Sequence, residues 1–328
     1  MGSLGKPVEM VLIVALISSL FFFSPPSAIG QGYPDKPITL YCGYPPGATT
    51  DATARGLASA AEKLLGVPVV VENKGGGGTA VAAGLVASKK PDGYSLGVIT
   101  SGALTLRPFL FTVGYNPLKD FTLLCQYSRY IGGLCVLTES SLKTIEEFIA
   151  YAKDHPGMSY ASPAVYSQQQ IATEILAQSK GLQFKHLPTK GGSESYTMLL
   201  GKHTDFLAGS GQHIMYIKQG LFRMLAIFHT DKRDPNYPHI PTLKEIGCAD
   251  NPAQGYCVVG PKGMPESISR KLSETFRKAT AGPEFQKLLA SYDLPYEFKD
   301  GTQMGRDLPL EYEWYKNYFI KIGVKKEG

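Results

Sequence analysis

Ile38-Thr39-Leu40-Tyr41-Cys42-Gly43-Tyr44-Pro45-Pro46-Gly47, followed by Val67-Pro68-Val69-Val70-Val71-Glu72-Asn73-Lys74-Gly75-Gly76-Gly77-Gly78-Thr79, is the stretch whose reading decides the fold. The first run is β-rich until two prolines and a glycine end strand pairing and force a turn. A helix is expected next: Thr49, Thr50 and Asp51 are suitable N-cap residues, and Ala54, Leu57, Ala58, Ala61, Leu64 and Leu65 recur at the spacing of one helix face until Gly66. Val67 to Val71 is apolar on both faces, as a buried parallel strand should be. The glycine run after it leaves nothing between its amides and a ligand, and a helix starting at Thr79 would add unpaired N–H groups and a positive dipole end. Two loops at one sheet edge predict a pocket the size of an oxyanion. A glycine run read alone is equally compatible with a plain turn. The run lacks the Gly-Lys-Ser/Thr of a phosphate loop and the G-x-G-x-x-G spacing of a dinucleotide site.

Residues 1 to 30 read as a signal peptide, with Lys6 in a short leading segment, an apolar run from Met10 to Phe23, and Ala28-Ile29-Gly30 as a small-x-small cleavage site. The alternative reading is an uncleaved anchor, although the run is short of the roughly 20 apolar residues a span needs. Export to the periplasm is the expectation. The remaining chain, 31 to 328, suffices for two domains, and 43% hydrophobic against 19% charged residues excludes a disordered chain. The formal charge of +5 comes from scattered basic residues, which favours anions weakly and carries no nucleic-acid signature. No C-x-x-C pair occurs among the five cysteines, and a Cys248–Cys257 disulfide around a short loop is a hypothesis. The six histidines show no metal-ligand spacing, so neither metal nor cofactor is expected.

The alternation of strand and helix continues. Ala82 to Ser88 forms a helix face, and Tyr94 to Ile99 forms a strand ending in Thr100-Ser101-Gly102, a third polar loop at the same edge. No element is read between Ser101 and Phe121. The chain is expected to cross to a second domain between Gln126 and Leu137 and to return near Gly255 to Val259. In the second domain, Met158 to Ala161 leads through Ser162 to a helix with Ser167 as N-cap, where Tyr166, Ser167 and Gln168 face a ligand from the opposite side. Lys190 stands at another helix entry, and Gly209-Ser210 ends a further strand. Helices follow Pro265 and Pro283, and an aromatic helix around Tyr312 to Phe319 reads as core packing. The domains are then 31–128 with 256–328, and 129–255. No nucleophile elbow is present, and Ser210 with His213 is too weak a pair to suggest a hydrolase.

A family resemblance rests on Tyr33-Pro34-Asp35-Lys36-Pro37-Ile38, Pro45-Pro46-Gly47 with Asp51 and Arg55, Val71-Glu72-Asn73-Lys74, and Pro91-Asp92-Gly93-Tyr94. It continues through Asn116-Pro117-Leu118-Lys119-Asp120-Phe121, Tyr160-Ala161-Ser162, Lys190-Gly191, Leu199-Leu200-Gly201, Pro241-Thr242 and Pro261-Lys262-Gly263. The chain resembles the Bug-type solute-binding proteins of tripartite tricarboxylate transport systems over essentially its whole length after the leader. The resemblance implies a type II periplasmic-binding-protein fold: two α/β lobes, joined by crossing strands, that close on a small carboxylate. It implies a monomer that delivers the ligand to membrane transporter subunits, or alternatively presents it to a signalling receptor, and no catalysis. It also implies that backbone amides and waters hold the carboxylate at two loops, one with Tyr44, Pro46, Gly47, Ala48, Thr49 and Asp51, the other with Gly76, Gly77, Gly78 and Thr79. Thr100, Ser101, Ser162, Tyr166, Ser167, Gln168, Lys190, Gly209 and Ser210 complete the candidate site. Two departures bear on the ligand. Val165-Tyr166-Ser167-Gln168 stands where many relatives read Asn-Gly-Ser-Ser, and Ala208 stands where amino-acid-binding relatives place an aspartate. The expected ligand is thus a mono- or dicarboxylate with an uncharged body, aromatic if Tyr44 and Tyr166 flank a ring.

Overall fold

The computed structural model describes residues 32–228, 233–249 and 251–324, so the expected leader lies outside the described residues. The opening unit forms the expected strand, helix and strand, but the second strand lies at the sheet's edge with Val70 exposed and is not buried on both faces. Strand β1 (Ile38–Cys42) leads to helix α1 (Thr49–Leu65), which buries Ala54, Leu57, Ala58 and Ala61 and ends on Gly66 in the left-handed conformation. Strand β2 (Val69–Asn73) pairs in parallel with β1 on one side, and β3 (Ser95–Thr100) does so on the other. Between β2 and β3 lie a tight turn at Gly77–Thr79 and helix α2 (Ala80–Ala87).

After β3 come two single-turn helices that the pattern does not announce, α3 (Gly102–Thr105) and α4 (Arg107–Leu110). Strand β4 (Phe121–Arg129) closes the first lobe's sequence, and β5 (Gly132–Leu137) belongs to another sheet, so the chain crosses at residues 130–131. The second lobe adds α5 (Ile145–Asp154), β6 (Met158–Ser162), α6 (Gln168–Lys180), β7 (Phe184–Pro188), α7 (Gly192–Leu200), β8 (Phe206–Ser210), α8 (His213–Lys218) and β9 (Phe222–Ile227). The chain then returns as β10 (Gly255–Pro261), followed by α9 (Glu266–Ala281), α10 (Pro283–Ser291), β11 (Tyr296–Asp300) and α11 (Gly301–Lys321).

The two sheets repeat one plan. In the first the order is β11-β4-β10-β3-β1-β2, in the second β7-β6-β8-β5-β9. Each has a parallel trio whose centre is its first strand, and beside it an antiparallel strand, β10 or β5, that arrives directly from the other lobe. This exchange of strands is the two-lobed arrangement of a type II binding protein. Because β1, β3, β6 and β8 run in parallel within their sheets, the loops after them gather at one edge of each lobe, where α/β sheets bind ligands.

Two features depart from the sequence expectation. All five cysteines are free and buried; Cys248 packs into the second lobe's core and Cys257, in the middle of β10, into the first lobe's, so the bridge between them does not form. The terminal helix is core packing, as expected, but for both lobes. Met304 and Leu308 join a core cluster of the first lobe, Tyr315 and Phe319 the core of the second. Pro309 lies between the two pairs.

Candidate functional site

The first two loops of lobe 1 are in direct contact. Lys74 N–H donates to Cys42 O at 2.7 Å, and a side chain at Gly43 would meet Thr79, its Cβ falling 2.6 Å from Cγ2. Thr79 is buried and pins the glycine loop to β3, its hydroxyl oxygen accepting from Thr100 N–H at 3.1 Å and lying 3.2 Å from Thr100 Oγ1. Gly76, Gly77 and Gly78 all take positive φ, the conformation for which the run is suited. Gly77 and Gly78 N–H have no acceptor among the described residues.

Asp51 has another task than meeting a ligand. Its carboxylate accepts from Asn73 Nδ2 at 2.7 Å, Arg55 Nε at 3.1 Å and Gly47 N–H at 3.0 Å, while Asn73 also donates to Tyr44 O at 2.8 Å. Burial works against the charged form, but Asn73, Arg55 and Gly47 outweigh it and hold the carboxyl below its ordinary pKa. The group fixes the loop of Tyr44, Pro46 and Gly47 against β2. With Asp51 so engaged, the N-cap of α1 is Ala48, which has no side-chain acceptor. Helix α2 likewise starts at Thr79 without a side-chain cap. Two helix starts with unsatisfied N–H groups therefore lie on either side of one loop contact.

The lobe-2 edge differs in this respect. Ser167 caps α6 itself, accepting from Gln170 N–H at 3.2 Å, and its hydroxyl lies 3.1 Å from that of Ser162, which in turn sits 2.7 Å from His186 Nε2. Gln168 donates to Pro252 O at 2.5 Å, while its Oε1 is buried with no partner among the described residues. Tyr166 sets its ring edge-on to Phe319, 5.8 Å between centroids. Gln169 donates to Ser210 Oγ at 2.6 Å, and Gly209 abuts His213. Lys190 is exposed at the start of α7. Ser101 is tied to the returning strand, its hydroxyl accepting from Gly255 N–H at 3.0 Å. The two edges face each other, Gly211 coming within 3.9 Å of Thr49 Oγ1 for a Cβ built on it.

Sequence reading overlooks Arg107. It stands at the start of α4, between Leu106 and Leu110, both buried in the second lobe's core, and its guanidinium lies against Gly78, where a Cβ would fall 2.8 Å from Nη2. Tyr44, Tyr315, Tyr130 and Tyr115 surround it. Tyr130 in turn lies 4.5 Å from Tyr256, ring to ring, and the Tyr256 hydroxyl is buried without a partner among the described residues. The signal available in the sequence was a lone arginine in the apolar run Leu104-Thr105-Leu106-Arg107-Pro108-Phe109-Leu110. Among the described residues no cluster of His, Cys, Asp or Glu is placed to hold a metal ion.

Comparison with known proteins places this geometry. The family described as "Tripartite tricarboxylate transporter family receptor" matches residues 53–307. The chain belongs to this family. Among relatives of the receptor, a UPF0065 protein from the gbd 5' region of Cupriavidus necator is 35% identical over 303 residues, covering 92% of each chain. Protein BugT of Bordetella pertussis is 29% identical over 281 residues, covering 82% of this chain and 83% of its own. Of solved structures, the periplasmic binding protein BugD superposes with a TM-score of 0.76 at 25% identity, covering 90% of this receptor and all of BugD. A structure described as a periplasmic transporter gives 0.77 at 26%, covering 89% and 99%. The two-lobed plan of this receptor is thus that of the Bug-type solute-binding proteins.

Proposed function

We propose that the protein is an extracytoplasmic receptor that captures a small carboxylate between its lobes and delivers it to the membrane subunits of a tripartite tricarboxylate-type transporter. The observation that carries this reading is the pair of uncapped helix starts, at Ala48 and Thr79, joined by a glycine loop in which Gly77 and Gly78 N–H have no acceptor among the described residues. Such groups favour an anion, and each cap left empty forgoes about 1 kcal/mol that a Ser, Thr, Asp or Asn would supply. Family membership makes a carboxylate the anion of choice, and Ala208, where amino-acid-binding relatives place an aspartate, argues against an amino acid, whose ammonium would need one. The ligand is then a mono- or dicarboxylate with an uncharged body. The protein acts in the periplasm, exported by residues 1 to 30 as leader, and binds as a monomer without cofactor.

The closing bodies meet at the two crossings, residues 130–131 and just before Gly255, with Leu106, Leu110 and the far end of α11 packed on the second. Closure removes the carboxylate from bulk water and strengthens each amide contact, and preference of the ligand for the closed form shifts the population. Catalysis plays no part. A thermal-shift screen of residues 31 to 328 against citric-cycle acids, other aliphatic and aromatic carboxylates, and amino acids tests the reading. A carboxylate at about 100 times its Kd should add about 2.7 kcal/mol and raise Tm by several degrees. Tight binding of aspartate or glutamate with no response to simple carboxylates would refute it.

A further inference from the structure

We propose that Arg107 takes the ligand's carboxylate directly, as a guanidinium–carboxylate ion pair at the glycine loop, so that charge and not only backbone amides selects the ligand. The inference rests on the reading that a carboxylate enters the cleft, and adds which side chain receives it.

The first ground is what Arg107 lacks. Eight arginines occur in the chain. Arg55 pairs with Asp51, Arg129 with Glu297 and Arg233 with Glu245, and Arg223 donates to the carbonyls of Ser140 and Leu142. Arg270, Arg277 and Arg306 are exposed to water. Arg107 alone is neither exposed nor bonded to a partner among the described residues. An arginine keeps its charge in a protein, and taking that charge from water without a counter-ion is costly. Burial accordingly pushes its pKa down from the ordinary value, offset only in part by Tyr44, Tyr315, Tyr130 and Tyr115.

The second ground is how the position is held. Leu106 and Leu110 anchor the backbone on both sides of Arg107 in the second lobe's core, and Phe109 packs on Tyr312 and Phe319 of α11. Gly78 is the complementary half: any side chain there would collide with the guanidinium. The open N–H groups of Gly77 and Gly78 therefore border a positive charge with no counter-ion among the described residues. A carboxylate seated there meets a planar fork of donors and several amides together, the bidentate geometry in which arginine excels. Tyr44 and Tyr130 stand near the charge, so aromatic rings border the seat of the carboxylate.

The test compares the acid found in the carboxylate screen with its primary amide, by calorimetry, on wild type, Arg107→Gln, Arg107→Lys and Gly78→Ala. The wild type should prefer acid to amide by about 100-fold or more. Arg107→Gln should lose about that factor for the acid and bind acid and amide alike, with Arg107→Lys recovering part of the loss. Gly78→Ala keeps the charge but displaces it and should weaken acid binding as well. Circular dichroism and Tm report folding of each variant. If the Gln variant does not fold, the wild-type preference and the Gly78→Ala affinity decide. Acid binding by Arg107→Gln within threefold of wild type, or a wild type that does not distinguish acid from amide, overturns the role of Arg107 and leaves the carboxylate receptor standing. A wild type that binds no carboxylate overturns both.

Discussion

Asp51 and Arg107 carry opposite lessons about what a sequence displays. Asp51 is visible because it sits in a motif with Pro45-Pro46-Gly47, Arg55 and Asn73, yet the motif does not say that its members satisfy one another. Arg107 is hidden because its significance is the absence of a partner, which exists only in three dimensions. Replacing Asp51 should show its role in the pH dependence of folding. Its carboxyl is held below its unfolded pKa of about 4, so its contribution is complete above that value and is lost as pH falls through the lower folded value. Asp51→Asn is expected to destabilise the protein by about 1–3 kcal/mol at pH 7 and to flatten the decline in stability below about pH 4. Urea titrations of both proteins from pH 7 to 3 measure it; parallel curves would mean the carboxylate does not hold the loop.

Most elements follow from periodicity because they are long enough to show it. Helices α1, α5 and α9 bury one face and expose the other, and the strands are bounded by glycines and prolines. What escapes is short or atypical. Helices α3 and α4 are four residues each and, apart from Arg107 and Phe109, wholly buried, so neither shows a polar face from which a period could be read. The edge strand β11, Tyr296-Glu297-Phe298-Lys299-Asp300, mixes charge and aromatics in too short a run. The helix start expected at Thr49 to Asp51 shifts to Ala48 because Asp51 turns to Asn73 and Arg55 instead of capping. That two loops meet at one edge was readable; that they touch at Gly43 and Thr79 was not. Gly43→Ala would drive a methyl into Thr79 and should cost about 1–3 kcal/mol. Differential scanning calorimetry should record a Tm lower by several degrees, and an unchanged Tm would mean the loops can part without strain.

The lobes, once their sequences are known to alternate, are joined by more than the two crossings. Lys218 Nζ of α8 reaches Asp293 Oδ1 at 2.7 Å, and the Tyr237 hydroxyl donates to Asp293 Oδ2 at 2.8 Å, so lobe 2 grips one acidic side chain of lobe 1. Lys218 is half exposed and its share is small, about 0.5 kcal/mol, while the buried tyrosine bond adds about 1 kcal/mol. If the closed form alone makes these contacts, Asp293→Ala should weaken ligand binding by about tenfold. Calorimetry with the ligand from the carboxylate screen checks this; an equal affinity would show that the open form keeps the grip. The crossings were legible because glycines and β-rich runs mark them at Gly132-Gly133 and Gly255. The double allegiance of the last helix was not, since an aromatic stripe announces burial without naming the core that receives it.

That helix has a mechanical consequence. Its first half is fastened by Met304 and Leu308 and its second by Tyr315 and Phe319, and between them Pro309 has no N–H to offer the carbonyl four residues back. A swing of one lobe against the other would load this rod where it is missing a rung. If the lobes close on a ligand, a helix clamped at both ends would limit the opening angle, and the molecule would work as a sprung clamp with a short stroke. Whatever docks on the loaded receptor would have only a small change of outline by which to tell it from the empty one.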